Sequence, residues 1–311
     1  MASLPFVKVQ GLGNDFVVVD LRPGRPGADL EPAPTEPAVA RALCDRHFGI
    51  GADGVLAILP GQEGDARMRV INADGSEAEM CGNGIRCVAK VLWEKDPALR
   101  RPVLQIDTGA GLLACAIDAE RDRVRTVAVQ MGRPRLTRGE IPMTGPAGER
   151  AVRTSLRAGD RGFSLTAVSM GNPHAVIFID DADADLRALA ESYGPRIEVD
   201  PLFPRRTNVE FARVRQGQDQ IDLVVWERGC GITLACGTGA CATVVAACLE
   251  GRARPGREVA VNLPGGTLFI TVAPEINAAE TGFAGVQMRG PAETVFEAAI
   301  DPRTLPAGKG P

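Results

Sequence analysis

Hydrophobic and polar positions alternate over short distances along most of the chain. FVVVD at 16–20, VRTVAVQM at 124–131, HAVIFID at 174–180, IDLVVWE at 221–227 and TLFITV at 267–272 are alternating or β-branched runs of strand length. Few segments carry apolar residues three and four apart, so the pattern predicts a strand-dominated α+β protein with helices at a small number of points. Punctuation organises these runs. RPGRPGADLEPAPTEP at 22–37 holds five prolines and no apolar period, and reads as a surface loop or irregular insertion. Residues 132–162 are again rich in Gly, Pro and Arg and mark the expected domain boundary. The tail at 301–311 lacks core-forming residues and is expected to fray.

Composition narrows the class. At 311 residues the natural expectation is two domains. Lys plus Arg number 35 against 39 Asp plus Glu, and the net charge of −4 argues against a general nucleic-acid or anionic-membrane binder. No run of about 18 apolar residues exists, so no transmembrane helix is expected. The first ten residues lack the features of a secretory signal, which makes a cytoplasmic location the expectation. The eight cysteines are then read as reduced thiols. None forms a Cys-x-x-Cys pair and the chain has only two histidines, so no metal site is expected.

An internal repeat carries most of the information. CGNGIRCVAKVLWE begins at Cys81 and CGTGACATVVAACLE at Cys236, 155 residues later. Nine residues before each cysteine a polar residue ends a strand-like run, Asn72 in RVIN and Glu227 in VVWE. GNDFVVVD with Asn14 is matched by GNPHAVIFID with Asn172 at an offset of 158. The two halves read as copies of one unit.

In each CGxG segment a thiol precedes Gly-x-Gly and then apolar residues at helical spacing, which places sulfur at a helix N-terminus. Unpaired N–H groups and the positive end of the dipole favour a thiolate there, so both thiols are expected to ionise below the ordinary range. The N–H groups of Gly82, Asn83, Gly237 and Thr238 offer a cradle for a carboxylate. A thiolate removing a proton from one face of a carbon and a thiol delivering one to the other face would invert it. Cys87, Cys241 and Cys248 lie within the helical patterns and read as core, Cys44 and Cys115 have no reactive context, and Cys230 in ERGCGI stays ambiguous. His47 reads as structural. His174, directly after GNP, is the better site candidate. Asn14, Asn72, Asn172 and Asn208 read either as turn residues or, by their recurrence, as a polar pocket.

With these residues assembled, the chain resembles the diaminopimelate epimerase family over nearly its whole length. The carrying motifs are GLGNDF at 11–16, GIGADG at 49–54, NADGSEAEMCGNG at 72–84, GNPH at 171–174, RRTNVEF at 205–211 and ERG…ACGTGA at 227–240. The resemblance implies an α+β fold of two pseudo-symmetric domains, each a strand-rich sheet wrapped around a central helix, with the active site in the cleft between them. The N-terminal half would be 1–130, with 292–303 returning to it, and the C-terminal half 131–291. It implies cofactor-independent interconversion of LL- and meso-2,6-diaminopimelate, a step toward lysine and, in many bacteria, peptidoglycan, by a homodimeric enzyme. Cys81 and Cys236 would be the acid/base pair, tuned by His174 and Glu227. Asn14, Asn72, Asn172, Asn208, Glu227 and Arg228, with the Gly82–Asn83 and Gly237–Thr238 backbones, would hold the substrate. Arg228 and the Asn amides would meet the distal carboxylate and Glu227 an ammonium. This chain departs from the family pattern at Gln10, at Gly54 where some members carry Gln, and at Cys230 and Ile232. Two alternatives stay open at this point: a proline or hydroxyproline racemase-type enzyme, and a non-enzymatic thiol protein that binds metal or senses redox state.

Overall fold

The computed structural model describes residues 3–215, 219–275 and 282–305. Most of the tail expected to fray, 306–311, lies outside the described residues, and its start forms a single 3-10 turn at Pro302–Thr304. The chain divides into two compact units, Met1–Val129 with Gly290–Pro311, and Gln130–Arg289.

The first unit contains β1 (Leu4–Gly11), β2 (Asn14–Asp20), α1 (Pro37–Cys44), β3 (Gly54–Leu59), β4 (Ala66–Asn72), β5 (Glu77–Ala78), α2 (Gly82–Lys95), β6 (Val103–Thr108), β7 (Gly111–Glu120) and β8 (Arg123–Gln130). The second contains β9 (Thr154–Ala158), β10 (Arg161–Ser169), β11 (Pro173–Phe178), α3 (Leu186–Glu198), β12 (Asn208–Val214), β13 (Gln220–Glu227), β14 (Gly231–Ile232), α4 (Gly237–Leu249), β15 (Glu258–Leu263), β16 (Gly266–Pro274) and β17 (Phe283–Gly290). A last strand, β18 (Glu293–Ile300), belongs to the first unit, where it pairs with β1.

Strand pairing makes the duplication explicit. In the first unit β1 pairs antiparallel with β18 and β2, and β2 runs parallel to β3 across α1. β3 and β4 are antiparallel, β4 takes the short β5 on one side and runs parallel to β6 across α2, and β6, β7 and β8 form a meander. The second unit repeats this in order. β10 pairs antiparallel with β9 and β11, β11 runs parallel to β12 across α3, and β12 and β13 are antiparallel. β13 takes the short β14 and runs parallel to β15 across α4, followed by the meander of β15, β16 and β17. Parallel pairs need a crossover, which is why each unit holds two helices among many strands.

The helices that follow the two cysteines are central. Almost every residue of α2 from Asn83 to Leu92 is buried, and so is almost every residue of α4 from Gly237 to Ala247. A helix buried on all sides is surrounded by other elements, and the residues facing it here are small or apolar enough to allow that. The first unit's outer core gathers Leu4, Val17, Val19, Leu43 and Val55 beneath α1. The second gathers Leu165, Ile177, Ala190, Ile197 and Phe211 beneath α3.

The 132–162 segment is not a linker. Ile141, Met143, Ala151 and Leu156 are buried in the second unit's core, and backbone bridges tie Arg135 to Ser169 and Thr137 to Arg150. Apolar residues spaced irregularly between Gly and Pro fill a core without forming a periodic element, so the pattern resembled a boundary. The 22–37 segment forms turns up to α1, with Leu30 packed against the first core.

Candidate active site: two helix-start thiols

Each cysteine is set by the same three steps within its own unit: a hairpin, a crossover strand and a capped helix. In the first unit Cys81 has extended backbone and caps α2, with the Gly84 N–H donating to its Sγ at 3.3 Å. The thiol faces Asn14 Oδ1 at 3.9 Å, and the same oxygen accepts from Asn83 Nδ2 at 3.2 Å. Asn14 is fixed in turn by donating from Nδ2 to Asp53 Oδ2 at 2.7 Å. Arg46 bridges Asp53 and Asp15 at 2.8 and 2.7 Å, and the buried Lys8 ammonium adds a bond to Asp15. Burial opposes ionisation of Asp15, but the hydrogen bonds from Arg46 and Lys8 prevail and hold its carboxyl below the usual range. Behind Asn83 lies the fully buried Arg86, which donates to Asn83 Oδ1 and Gly82 O, both at 3.0 Å, and to Pro291 O at 3.2 Å.

Asn72 ends β4 and is held by its own turn, its Nδ2 donating to Ser76 Oγ at 2.9 Å. Gly54 lies opposite Asn72 across the strand pair. A Cβ there would come within 2.7 Å of Ile71 O, so this backbone has closed around the glycine. Gln10 accepts from Gly13 N and donates to Glu293 Oε2, both at 2.9 Å.

In the second unit Cys236 caps α4 and is buried. Its Sγ lies 3.6 Å from Thr238 Oγ1, which accepts from Asn172 Nδ2 at 3.3 Å. Asn172 Oδ1 meets His174 Nε2 at 2.9 Å, and His174 Nδ1 meets Glu210 Oε1 at 2.7 Å. His174 and Glu210 have no exposed surface. Burial pushes the Glu210 carboxyl up, against the opposing pull of His174.

The expectation that both thiols ionise below the ordinary range is corrected at Cys236. Burial first, then the negative charges of Glu227 and Glu210, hold this thiol well above its ordinary value and outweigh the helix terminus. Of the thiols read as core, burial chiefly pushes Cys87 up to about 12 and Cys248 to about 11.

The remaining candidates form a third group. Glu227 ends β13 and accepts from Thr233 Oγ1. The buried Asn208 donates from Nδ2 to Pro173 O at 3.0 Å and accepts from Arg228 N at 2.9 Å, so its amide clips two backbone segments together. The exposed Arg228 guanidinium donates to Arg205 O at 3.0 Å. Ile232 lies opposite Trp226 on β14 and packs on the second core, while Cys230 is exposed on the turn.

Sequence reasoning passed over Glu210, Asp53, Arg46 and Arg86. For Glu210 a signal existed, because it is a carboxylate in the middle of the otherwise apolar run NVEFA. Among the described residues, no group of three or more His, Cys, Asp or Glu is placed to hold a metal ion.

A duplicated α+β unit with a cysteine capping the buried helix of each copy defines the class: a two-domain α+β fold built from one repeated unit. A hydroxyproline epimerase from Agrobacterium vitis shares this fold, with a TM-score of 0.70 and 16% identity over 100% of this chain and 94% of that one. So does a phenazine biosynthesis protein of the PhzF family from Bacillus anthracis, with a TM-score of 0.65 and 14% identity over 96% and 99%. The particular family is given by sequence. The diaminopimelate epimerase model matches residues 6–137 and 166–295, and this chain belongs to that family. The diaminopimelate epimerase of Pelotomaculum thermopropionicum is 48% identical over 96% of this chain and 99% of its own length. That of Synechococcus sp. is 48% identical over 95% and 97%.

Proposed function

We propose that this protein is a diaminopimelate epimerase that interconverts LL- and meso-2,6-diaminopimelate without a cofactor, using Cys81 and Cys236 as its acid/base pair. The carrying observation is that both copies of the repeated unit place a cysteine as the cap of a buried helix, each with an Asn from the equivalent hairpin nearby. Family membership and the names of the relatives support the substrate, and a role in lysine biosynthesis follows from it.

In this reading one thiolate takes the α-proton, and the electron pair left on carbon is delocalised into the adjacent carboxylate. The other thiol then breaks its S–H bond to protonate the opposite face and becomes the thiolate, so the two sulfurs exchange roles at each turnover. The N–H groups at the two helix starts hold the reacting carboxylate, whose charge grows as the proton leaves. Asn14, Asn72, Asn172 and Asn208 line the polar pocket, Glu227 accepts the ammonium, and Arg228, exposed at the end of β13, meets the distal carboxylate. His174 acts on Cys236 through Asn172 and Thr238. A cytoplasmic homodimer completes the proposal, and light scattering of the purified protein tests the dimer.

The central test is α-proton exchange in D₂O, followed by NMR with LL-diaminopimelate and L-proline in parallel. Exchange and inversion of diaminopimelate alone are expected. Activity on proline alone would overturn the roles given to Glu227 and Arg228, and inactivity toward both would overturn the reaction. Cys81→Ala and Cys236→Ala should each lose about a hundredfold or more in turnover with the fold intact; full activity in either would remove that thiol from the mechanism.

A further inference from the structure

The two copies of the unit differ at one buried pair beside the thiols. Leu56 on β3 lies between Val18 on β2 and Val70 on β4. At the same place in the second unit, Glu210 on β12 lies between Val176 on β11 and Val225 on β13. Phe16, aligned with Gly54, likewise corresponds to His174, aligned with Asn208. The helix starts show the same correspondence. A Cβ on Gly84 would meet Leu56 Cδ2 at 3.0 Å, and a Cβ on Gly239 would meet Glu210 Oε1 at 3.0 Å and Cys236 Sγ at 3.2 Å.

The first unit therefore closes this fold with a buried Phe and Leu, and packing alone does not call for a polar pair. The second unit buries a carboxylate and an imidazole at a desolvation cost. Glu210 Oε2 is also buried with no hydrogen-bond partner among the described residues. A buried carboxylate kept beside one thiol, and replaced by leucine beside its counterpart, makes the two sulfurs chemically different.

We propose that Glu210 is a positioning residue that holds Cys236 as the proton-bearing member of the thiol pair, with His174, Asn172 and Thr238 forming the polar line that supports it. This rests on the two-thiol reaction proposed above. The charged and titratable groups around the pair are His174 on β11, Glu227 on β13 and Cys236 at the start of α4. Glu198, the buried carboxylate of α3, is turned away to Trp226 Nε1 and Gly229 N. His174 Nε2 meets Asn172 Oδ1 and its Nδ1 meets Glu210 Oε1, so the imidazole is pinned between the two side chains. Asn172 Nδ2 then donates to Thr238, whose hydroxyl hydrogen remains available to the sulfur. When Cys236 delivers its proton to carbon, the S–H electron pair stays on sulfur and Thr238 O–H donates to the new thiolate.

The test is the pH dependence of iodoacetamide alkylation at each cysteine, read peptide by peptide by mass spectrometry on the full-length protein. In Glu210→Gln the Cys236 midpoint should fall by about one pH unit or more, with the Cys81 midpoint unmoved as internal control. A folded Glu210→Gln whose Cys236 midpoint is unchanged, or whose two midpoints move together, overturns the proposal. Should that variant fail to fold, the double variant His174→Phe, Glu210→Leu installs the pair the first unit already packs. The same fall is expected there, and its absence overturns the proposal equally. Alkylation needs no substrate, so failures separate: wild-type turnover of diaminopimelate with no shift in the variant removes the role of Glu210 alone, whereas a shift in the variant with a wild-type protein inactive toward diaminopimelate supports the asymmetry and overturns the reaction.

Discussion

Cys236 shows at single-residue resolution how a local rule yields to its surroundings. A helix N-terminus favours a thiolate, yet burial and two nearby carboxylates hold this thiol protonated. Gly239 lets those groups approach. Alanine there suits a helix better by about 1 kcal/mol, so Gly239→Ala should leave the unfolding midpoint near the wild-type value or above it. Its Cβ would press on both Glu210 Oε1 and Cys236 Sγ, so epimerisation should fall by about tenfold, less than the roughly hundredfold that loss of an acid/base group itself costs. Wild-type turnover in Gly239→Ala would show that this contact is not needed for chemistry. Cys81, Cys236, Asn14 and Asn172 were legible because they recur at matching offsets, and His174 because it directly follows GNP in the second half. Asp53 and Arg46 were not, because each acts on a partner far along the chain, and Glu210 was marked only by its charge within an apolar run.

At the scale of elements, Asn208 joins the start of β11 to the turn after β13 through Pro173 O and Arg228 N. Its side chain reads as a pocket residue in the sequence and in the fold also clips these two segments together. Asn208→Ala would leave a buried carbonyl and N–H without partners, so a loss of roughly 1–3 kcal/mol is expected in chemical denaturation. A loss of activity with unchanged stability would instead assign the amide to substrate. The strands and the two cysteine-capped helices were legible from alternation and from the Gly-x-Gly starts. α1 and α3 were not, since one spans only Pro37–Cys44 and the other carries a proline, Pro195, within its length. Both are fixed by the need to cross between parallel strands, a constraint that no local window contains.

For the whole molecule the thiols make alkaline stability the informative measurement. Burial pushes Cys44, Cys87 and Cys115 to about 12 and Cys248 to about 11, and Cys236 also lies well above its ordinary value. In the unfolded chain thiols ionise near about pH 8.5. A group raised in the folded state contributes stability that is complete below its unfolded value and is lost as pH rises past it. Under reducing conditions the urea midpoint should therefore fall progressively from about pH 8.5 toward about pH 11. An unchanged midpoint would show that the buried thiols do not govern the alkaline limit. By itself the sequence determined the α+β class, the duplication, the two cysteines and the family, because periodicity, Gly-x-Gly starts and repeat offsets are local signals copied twice along the chain. Only the tertiary structure decided that residues of 132–162 fill the second core, and that Glu210 replaces Leu56 beside the second thiol. These depend on which distant segments share one buried volume, and there desolvation and charge take values that no residue has on its own.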